Sequence, residues 1–142
     1  LPKEGSMNGT IVLDGSWEGR ILDEPLTFEV RDGMVKEVSG GELATEIASL
    51  FELAKTGIRG SKKDLVWTAA EFGFGMNPRA KEIVGNRVED LVVRGGCYFG
   101  IGDNTHIGGK SRVGIHLRGT MLETDLLLED TSIISSGKLD LR

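Results

Sequence analysis

Carboxylate, imidazole and thiol are the groups by which this chain could hold a metal ion or attack a substrate, and few of them stand where chemistry needs them. Glu71 lies inside an apolar, glycine-rich run, Ala69-Ala70-Glu71-Phe72-Gly73-Phe74-Gly75. A carboxylate drawn into such surroundings stays ionised only beside a metal, a cation or several hydrogen-bond donors. The plainer alternative puts Glu71 at a strand edge with its head in water. His106 and His116 are the only two histidines. A catalytic zinc or iron site wants three or more His and carboxylate ligands and an open position, so the chain carries too few ligands of its own for ordinary metal catalysis. Cys97 could form a thiolate pair with His106 or His116 if the fold brought them together. A lone cysteine in an apolar strand more commonly packs in the core.

Other short motifs fail on spacing. Gly109-Lys110-Ser111 matches the tail of a phosphate-binding P-loop, but Asn104 stands where the pattern needs its first glycine, and Arg112 to Leu117 reads as a strand where a helix should follow. Gly100-Ile101-Gly102 lacks the third glycine of a dinucleotide fingerprint, since Thr105 occupies its place. No Gly-x-Ser-x-Gly elbow is present.

Composition narrows the classes further. Seventeen basic and twenty-two acidic side chains give a net charge of -5, which favours solubility and argues against nucleic-acid or anionic-membrane binding. A single cysteine excludes an internal disulfide framework and fits a reducing, cytoplasmic setting. No apolar run approaches the ~18 residues of a membrane span. The chain opens at Leu1-Pro2-Lys3, and Met7 already lies in patterned sequence. We therefore expect residues 1–142 to be a single domain and a fragment of a longer protein.

Several elements must position these groups. Thr10 to Leu13 followed by Asp14-Gly15 reads as a strand and turn. Leu26, Phe28 and Val30 alternate with Thr27, Glu29 and Arg31, the period of a half-buried strand, and Asp32-Gly33 predicts a tight hairpin into Met34 to Val38. An amphipathic helix is predicted over 42–55, with Leu43, Ile47, Leu50, Phe51 and Ala54 on one face, Glu42 and Glu46 near its positive end, Lys55 near its negative end, and Gly57 as a stop. Further strands are expected at 65–67, 91–93, 97–99, 113–117 and 126–128, and a short helical segment from Asn77 to Lys81. The fold class is α+β: a β-rich mixed or antiparallel sheet domain with one main amphipathic helix, about eight strands in all.

The segments Glu71 to Pro78, Gly102-Asp103-Asn104 with Gly108-Gly109, and Gly114-Ile115-His116-Leu117 together resemble the C-terminal part of the aminopeptidase T-type (leucyl aminopeptidase-like) metallopeptidases. The same fold family includes a mononuclear-iron 2,5-dihydroxypyridine dioxygenase. The resemblance runs from about Asn8 to the end and implies the C-terminal domain of that metallopeptidase fold, a homodimer, and a two-metal site of zinc or cobalt. There the metals polarise a peptide carbonyl and activate water. It implies metal ligands at Glu71 and His116. It also implies that Tyr98 replaces the first family histidine, Thr105 an assisting tyrosine, and Arg118 the aspartate of a His-x-Asp pair; another glutamate would precede Leu1, and residues 1–142 would be a C-terminal fragment without the family's N-terminal α/β domain.

A guanidinium where a carboxylate ligand stood removes a negative ligand and adds a fixed positive charge. Two unit charges about 5 Å apart interact by roughly 3 kcal/mol at an effective dielectric of 20, and a divalent ion doubles the repulsion. Arg118 is expected to pair with Glu71 in the metal's place. The leading expectation is thus a peptidase-family domain with a degraded metal site and no catalysis, which dimerises or binds a peptide or small molecule, using Arg118, His106 and Lys110 for an anionic group. The alternative is an active enzyme: a metal-dependent aminopeptidase, hence a hydrolase, or a mononuclear zinc, cobalt or iron enzyme in which Tyr98 or His106 supplements Glu71 and His116.

Overall fold

The alternation at Leu26–Val30 becomes a strand with Leu26, Phe28 and Val30 almost wholly buried in the computed structural model, which describes residues 1–140. In chain order the elements are β1 (Gly9–Leu13), β2 (Ser16–Trp17), β3 (Arg20–Ile21), β4 (Leu26–Arg31), β5 (Met34–Ser39), α1 (Gly41–Thr56), β6 (Ala69–Phe74), β7 (Cys97–Gly102), β8 (His116–Met121), β9 (Leu126–Leu128), β10 (Thr131–Ser135) and β11 (Lys138–Leu139). The sheets run β1-β4-β5, β3-β2-β8-β7-β6 and β11-β10-β9, and all of their named strand pairs are antiparallel. The class is α+β.

The predicted hairpin forms. Asp32 (φ 51°) and Gly33 (φ 70°) both take left-handed backbone, as a primed two-residue turn requires. Phe28 then joins the two larger sheets: its ring lies 5.6 Å from Trp17 of β2 and 6.0 Å from Phe99 of β7. Helix α1 packs on β5 and β4 through Ala44, Ile47 and Phe51. Leu50, expected on that face, is 45% exposed, because the stripe that meets the sheet is set by the 44, 47 and 51 positions.

Four expected elements differ, each for a local reason. Residues 65–67 belong to a 3-10 helix, Gly60–Trp67, instead of a strand. Three apolar residues have no period to choose between states, and stacking of Trp67 on Phe51 at 4.5 Å with its Nε1–H donated to Glu52 ties the segment to α1. Residues 90–92 form another 3-10 turn. Asn77 opens a turn closed by the Ala80 amide onto its carbonyl, with no helix beyond it. The strand expected from Val113 begins only at His116, since the amides of Val113 and Gly114 donate to the Asp103 carboxylate and are withdrawn from any ladder. The short β2, β3, β10 and β11 carried no readable pattern in the sequence.

Replacing Phe28 by alanine is expected to lower stability by roughly 3–5 kcal/mol in urea denaturation. A loss below about 1 kcal/mol would show that this ring does not join the sheets.

Candidate metal centre

One face of the β6-β7-β8 sheet carries the polar residues while the other builds the core. Strand register makes rows across it: Glu71 pairs with Gly100, which pairs with Arg118, and Gly73 pairs with Tyr98, which pairs with Thr120. Side chains alternate along a strand, so Phe99 and Ile101 enter the core while Tyr98 and Gly100 face the other way. A register shift between Ala69 and Glu71 sits at the start of β6. Such bulges re-aim the side chain that follows, and here that side chain is Glu71.

Glycines form the floor. A Cβ on Gly100 would meet Glu71 Cβ, Arg118 Cγ and His116 Cε1, each at 3.1 Å, and one on Gly73 would meet the Tyr98 ring at 2.4 Å. Their missing side chains let four long ones converge over a flat strip of backbone.

The centre of that convergence is the Glu71 carboxylate, 9% exposed. Tyr98 donates its hydroxyl to Oε1 at 3.2 Å. His116 Nε2 lies 2.9 Å from Oε2, His106 Nε2 4.0 Å and Arg118 Nη1 3.9 Å. The two imidazoles meet edge to face, 4.7 Å between ring centroids. Burial, and then the neighbouring Glu71 charge, push the Tyr98 phenol above its ordinary pKa, so it remains a hydrogen-bond donor at neutral pH.

His106 reaches the centre from a loop. It sits on the 3-10 turn Thr105–Ile107 between β7 and β8, and Asp103 builds that loop. Asp103 Oδ1 accepts the Thr105 amide and hydroxyl, while Oδ2 accepts the amides of Val113 and Gly114. Burial opposes its ionisation, but the Thr105 hydroxyl and the three amides outweigh that and hold the carboxyl well below its usual range. Asn104, fully buried, closes the far side by accepting the Ser111 amide and donating to Glu4. Gly109 lies against it so closely that a Cβ there would fall 2.1 Å from the Asn104 side chain.

The ligand atoms of Glu71, His106 and His116 all lie within 4.8 Å of one another. Two imidazoles and one carboxylate with coordination positions left over are the donor set of non-haem ferrous sites. His116 turns Nε2 to this cluster, while its Nδ1 is buried with no hydrogen-bond partner among the described residues. Glu71, His106 and His116 offer the donors a metal ion needs, and Arg118 reaches Glu71 Oε2 at 3.9 Å, the pairing expected from the sequence, so an ion held there shares this carboxylate with a guanidinium.

The other expected residues divide. Tyr98 and Arg118 join the cluster. Thr105 instead spends its hydroxyl and amide on Asp103. Lys110 is exposed, donates its amide to Glu4, and lines a separate hollow with Gly5, Asp32 and Met34. Cys97 lies at the opposite end of β7 from the Gly102–His116 pair, about 17 Å along the strand. Burial raises its pKa, partly offset by the Thr124 hydroxyl at 3.2 Å, so no thiolate–imidazole pair forms. Asp103 and Asn104 were legible only as parts of a motif; the glycines at 73, 100 and 102, alternating on neighbouring strands, were the signal for the floor.

A family model described as NicX, 2,5-dihydroxypyridine 5,6-dioxygenase, matches residues 1–140. A protein of Pseudomonas putida KT2440 named 2,5-dihydroxypyridine 5,6-dioxygenase is 26% identical over 151 aligned residues, covering 96% of this chain and 40% of the relative. The solved structure of 2,5-dihydroxypyridine dioxygenase from the same organism superposes with a TM-score of 0.80 at 24% identity, over 97% of this chain and 41% of that one. The chain thus spans about two fifths of the relatives it matches. The matches name a dioxygenase and none names a peptidase. They overturn the aminopeptidase T-type assignment, the degraded dimetal site and the hydrolase expectation that went with it.

Exchanging Asp103 for asparagine sets an NH2 group against two of the four donors it now accepts. The expected cost is about 2 kcal/mol of stability at pH 7 by urea denaturation. Because the folded-state pKa is depressed from 3.8, the wild-type advantage is complete above the unfolded pKa and disappears only as pH falls through the folded one. A gap that closes on raising the pH would contradict this assignment.

Proposed function

The chain belongs to the NicX 2,5-dihydroxypyridine 5,6-dioxygenase family, and from that premise we propose that it carries the metal centre of a dioxygenase that opens a hydroxylated aromatic ring. The observation supporting this reading is the cluster of two histidines and one carboxylate, Glu71, His106 and His116, on a glycine-floored sheet face. Ferrous iron is the ion we assign there, because two imidazoles and a carboxylate suit it and leave positions for substrate. When bound it supplies the redox chemistry by which molecular oxygen is made reactive toward an aromatic ring.

The chain's own residues supply placement. Tyr98 engages Glu71 Oε1, which turns Oε2 toward His106 and His116. A carboxylate ligand fixed in this way by a second partner keeps its orientation whether or not substrate is present. His116 is set by the β8 ladder and His106 by the Asp103-braced loop, so one imidazole rests on rigid sheet and the other on a loop. The half-exposed His106, 49% accessible against 17% for His116, marks the side from which a ring can enter. The Tyr98 phenol, the donor to Glu71 Oε1, is the proton-bearing group beside that carboxylate. Cytoplasmic location belongs to the same proposal, supported by the free, buried Cys97; among the described residues no helix is long and apolar enough to cross a membrane.

The test is anaerobic reconstitution with ferrous iron, metal analysis after desalting, and oxygen uptake with 2,5-dihydroxypyridine. Wild type is expected to retain about one iron per chain, and Glu71→Gln or His116→Ala to retain almost none. Tyr98→Phe is expected to bind iron roughly 10-fold more weakly while staying folded. Wild type that holds no more iron than Glu71→Gln would sink the reading.

A further inference from the structure

One feature of the cluster is not explained by holding a metal. Arg118 extends over Gly100 to the same carboxylate oxygen that faces the histidines, 3.9 Å away. It is held from behind: its amide donates to Glu18 Oε1 at 2.7 Å, and its carbonyl accepts the Glu18 amide at 2.9 Å. The guanidinium, 24% exposed, makes no hydrogen bond among the described residues. Glu71, its one ion-pair partner among the described residues, already receives Tyr98 on one oxygen and His116 on the other.

Charge makes the same point. With a divalent ion in place, the single charge of Glu71 would face both that ion and the Arg118 guanidinium, while Glu18, the other carboxylate nearby, already meets Arg87 and the Arg118 amide. A fork of planar donors beside an under-neutralised ion is the setting in which a planar oxyanion binds well, since guanidinium meets carboxylate in two parallel hydrogen bonds.

We infer that Arg118 is a specificity-determining residue that selects aromatic ring substrates bearing a carboxylate or a comparable planar oxyanion. This rests on the metal-centre reading above. The oxyanion docks on the guanidinium, and the ring lies across the Gly100 strip toward His106 and His116. Lys110, the other basic residue considered for an anion, has no part in it.

Two probes that differ only in the acidic group decide the matter: 3-hydroxypyridine and 5-hydroxynicotinate. Each is titrated calorimetrically and anaerobically into wild type, Arg118→Met, Arg118→Lys and Lys110→Met, with iron content measured on the same samples and a parallel series on metal-free protein. Wild type is expected to prefer 5-hydroxynicotinate by about 10-fold or more. Arg118→Met should abolish that preference, bringing 5-hydroxynicotinate to the affinity of 3-hydroxypyridine in the same variant, Arg118→Lys should restore it in part, and Lys110→Met should leave it intact. If iron-loaded wild type shows no preference, or Arg118→Met keeps it, the inference is overturned while the metal reading stands. If wild type takes up no iron, the metal reading fails, and the carboxylate preference of that same protein, compared with Arg118→Met, still decides the role of Arg118.

Discussion

A buried carboxylate must be matched by donors or cations, and the polar half of this molecule is organised around meeting that demand for Glu71. Stripping an ionised carboxylate of water costs several kcal/mol unless hydrogen bonds and opposite charge replace the hydration. Here a phenol, two imidazoles and a guanidinium converge on it. The two oxygens take different partners, Tyr98 on one and the nitrogen bases on the other. That division leaves Oε1 to the phenol and turns Oε2 toward the imidazoles and the guanidinium.

Such crowding is possible only because the sheet beneath is bare. At Gly73 and Gly100 the missing side chains make room for the Tyr98 ring and for the stems of Glu71 and Arg118. Glycine in a strand interior weakens a sheet. The loss is offset on the opposite face, where Phe99 and Ile101 of the same strand are fully buried and Phe99 meets Phe28 from the neighbouring sheet. One strand therefore carries core packing on one side and chemistry on the other.

His106 is positioned by different means. No ladder holds it; the loop does, through the four hydrogen bonds gathered by Asp103 and those made by buried Asn104. The Val113 and Gly114 amides that Asp103 captures are also what delays β8 until His116. One side chain thus sets the loop that bears one imidazole and the starting point of the strand that bears the other. The peptidase-like reading of the motifs gave Asp103 no role of its own, and it expected Arg118 to pair with Glu71 or to meet an anionic group. In the structure the same arginine meets Glu71 Oε2 at 3.9 Å and keeps its guanidinium partly open to solvent.

Local chemistry alone determined a good deal. The alternation at Leu26–Val30, the Asp32-Gly33 turn and the Ile47–Phe51 stripe each depend on neighbours a few residues away, so the hairpin, the helix and the α+β class were legible. Glu71 was legible as an anomaly, a carboxylate among apolar residues and glycines. What it would meet was not. Its partners lie 27 to 47 residues further along the chain, and the register of three antiparallel strands decides which of them share its face. A shift of one residue in that register would turn Tyr98 and Arg118 into the core and Phe99 out. Whether His106 could reach the centre depended on a loop closed by Asp103, whose donors come from both of its ends. Side-chain identity was written in the chain; the convergence that makes these residues a candidate metal centre was decided by tertiary pairing.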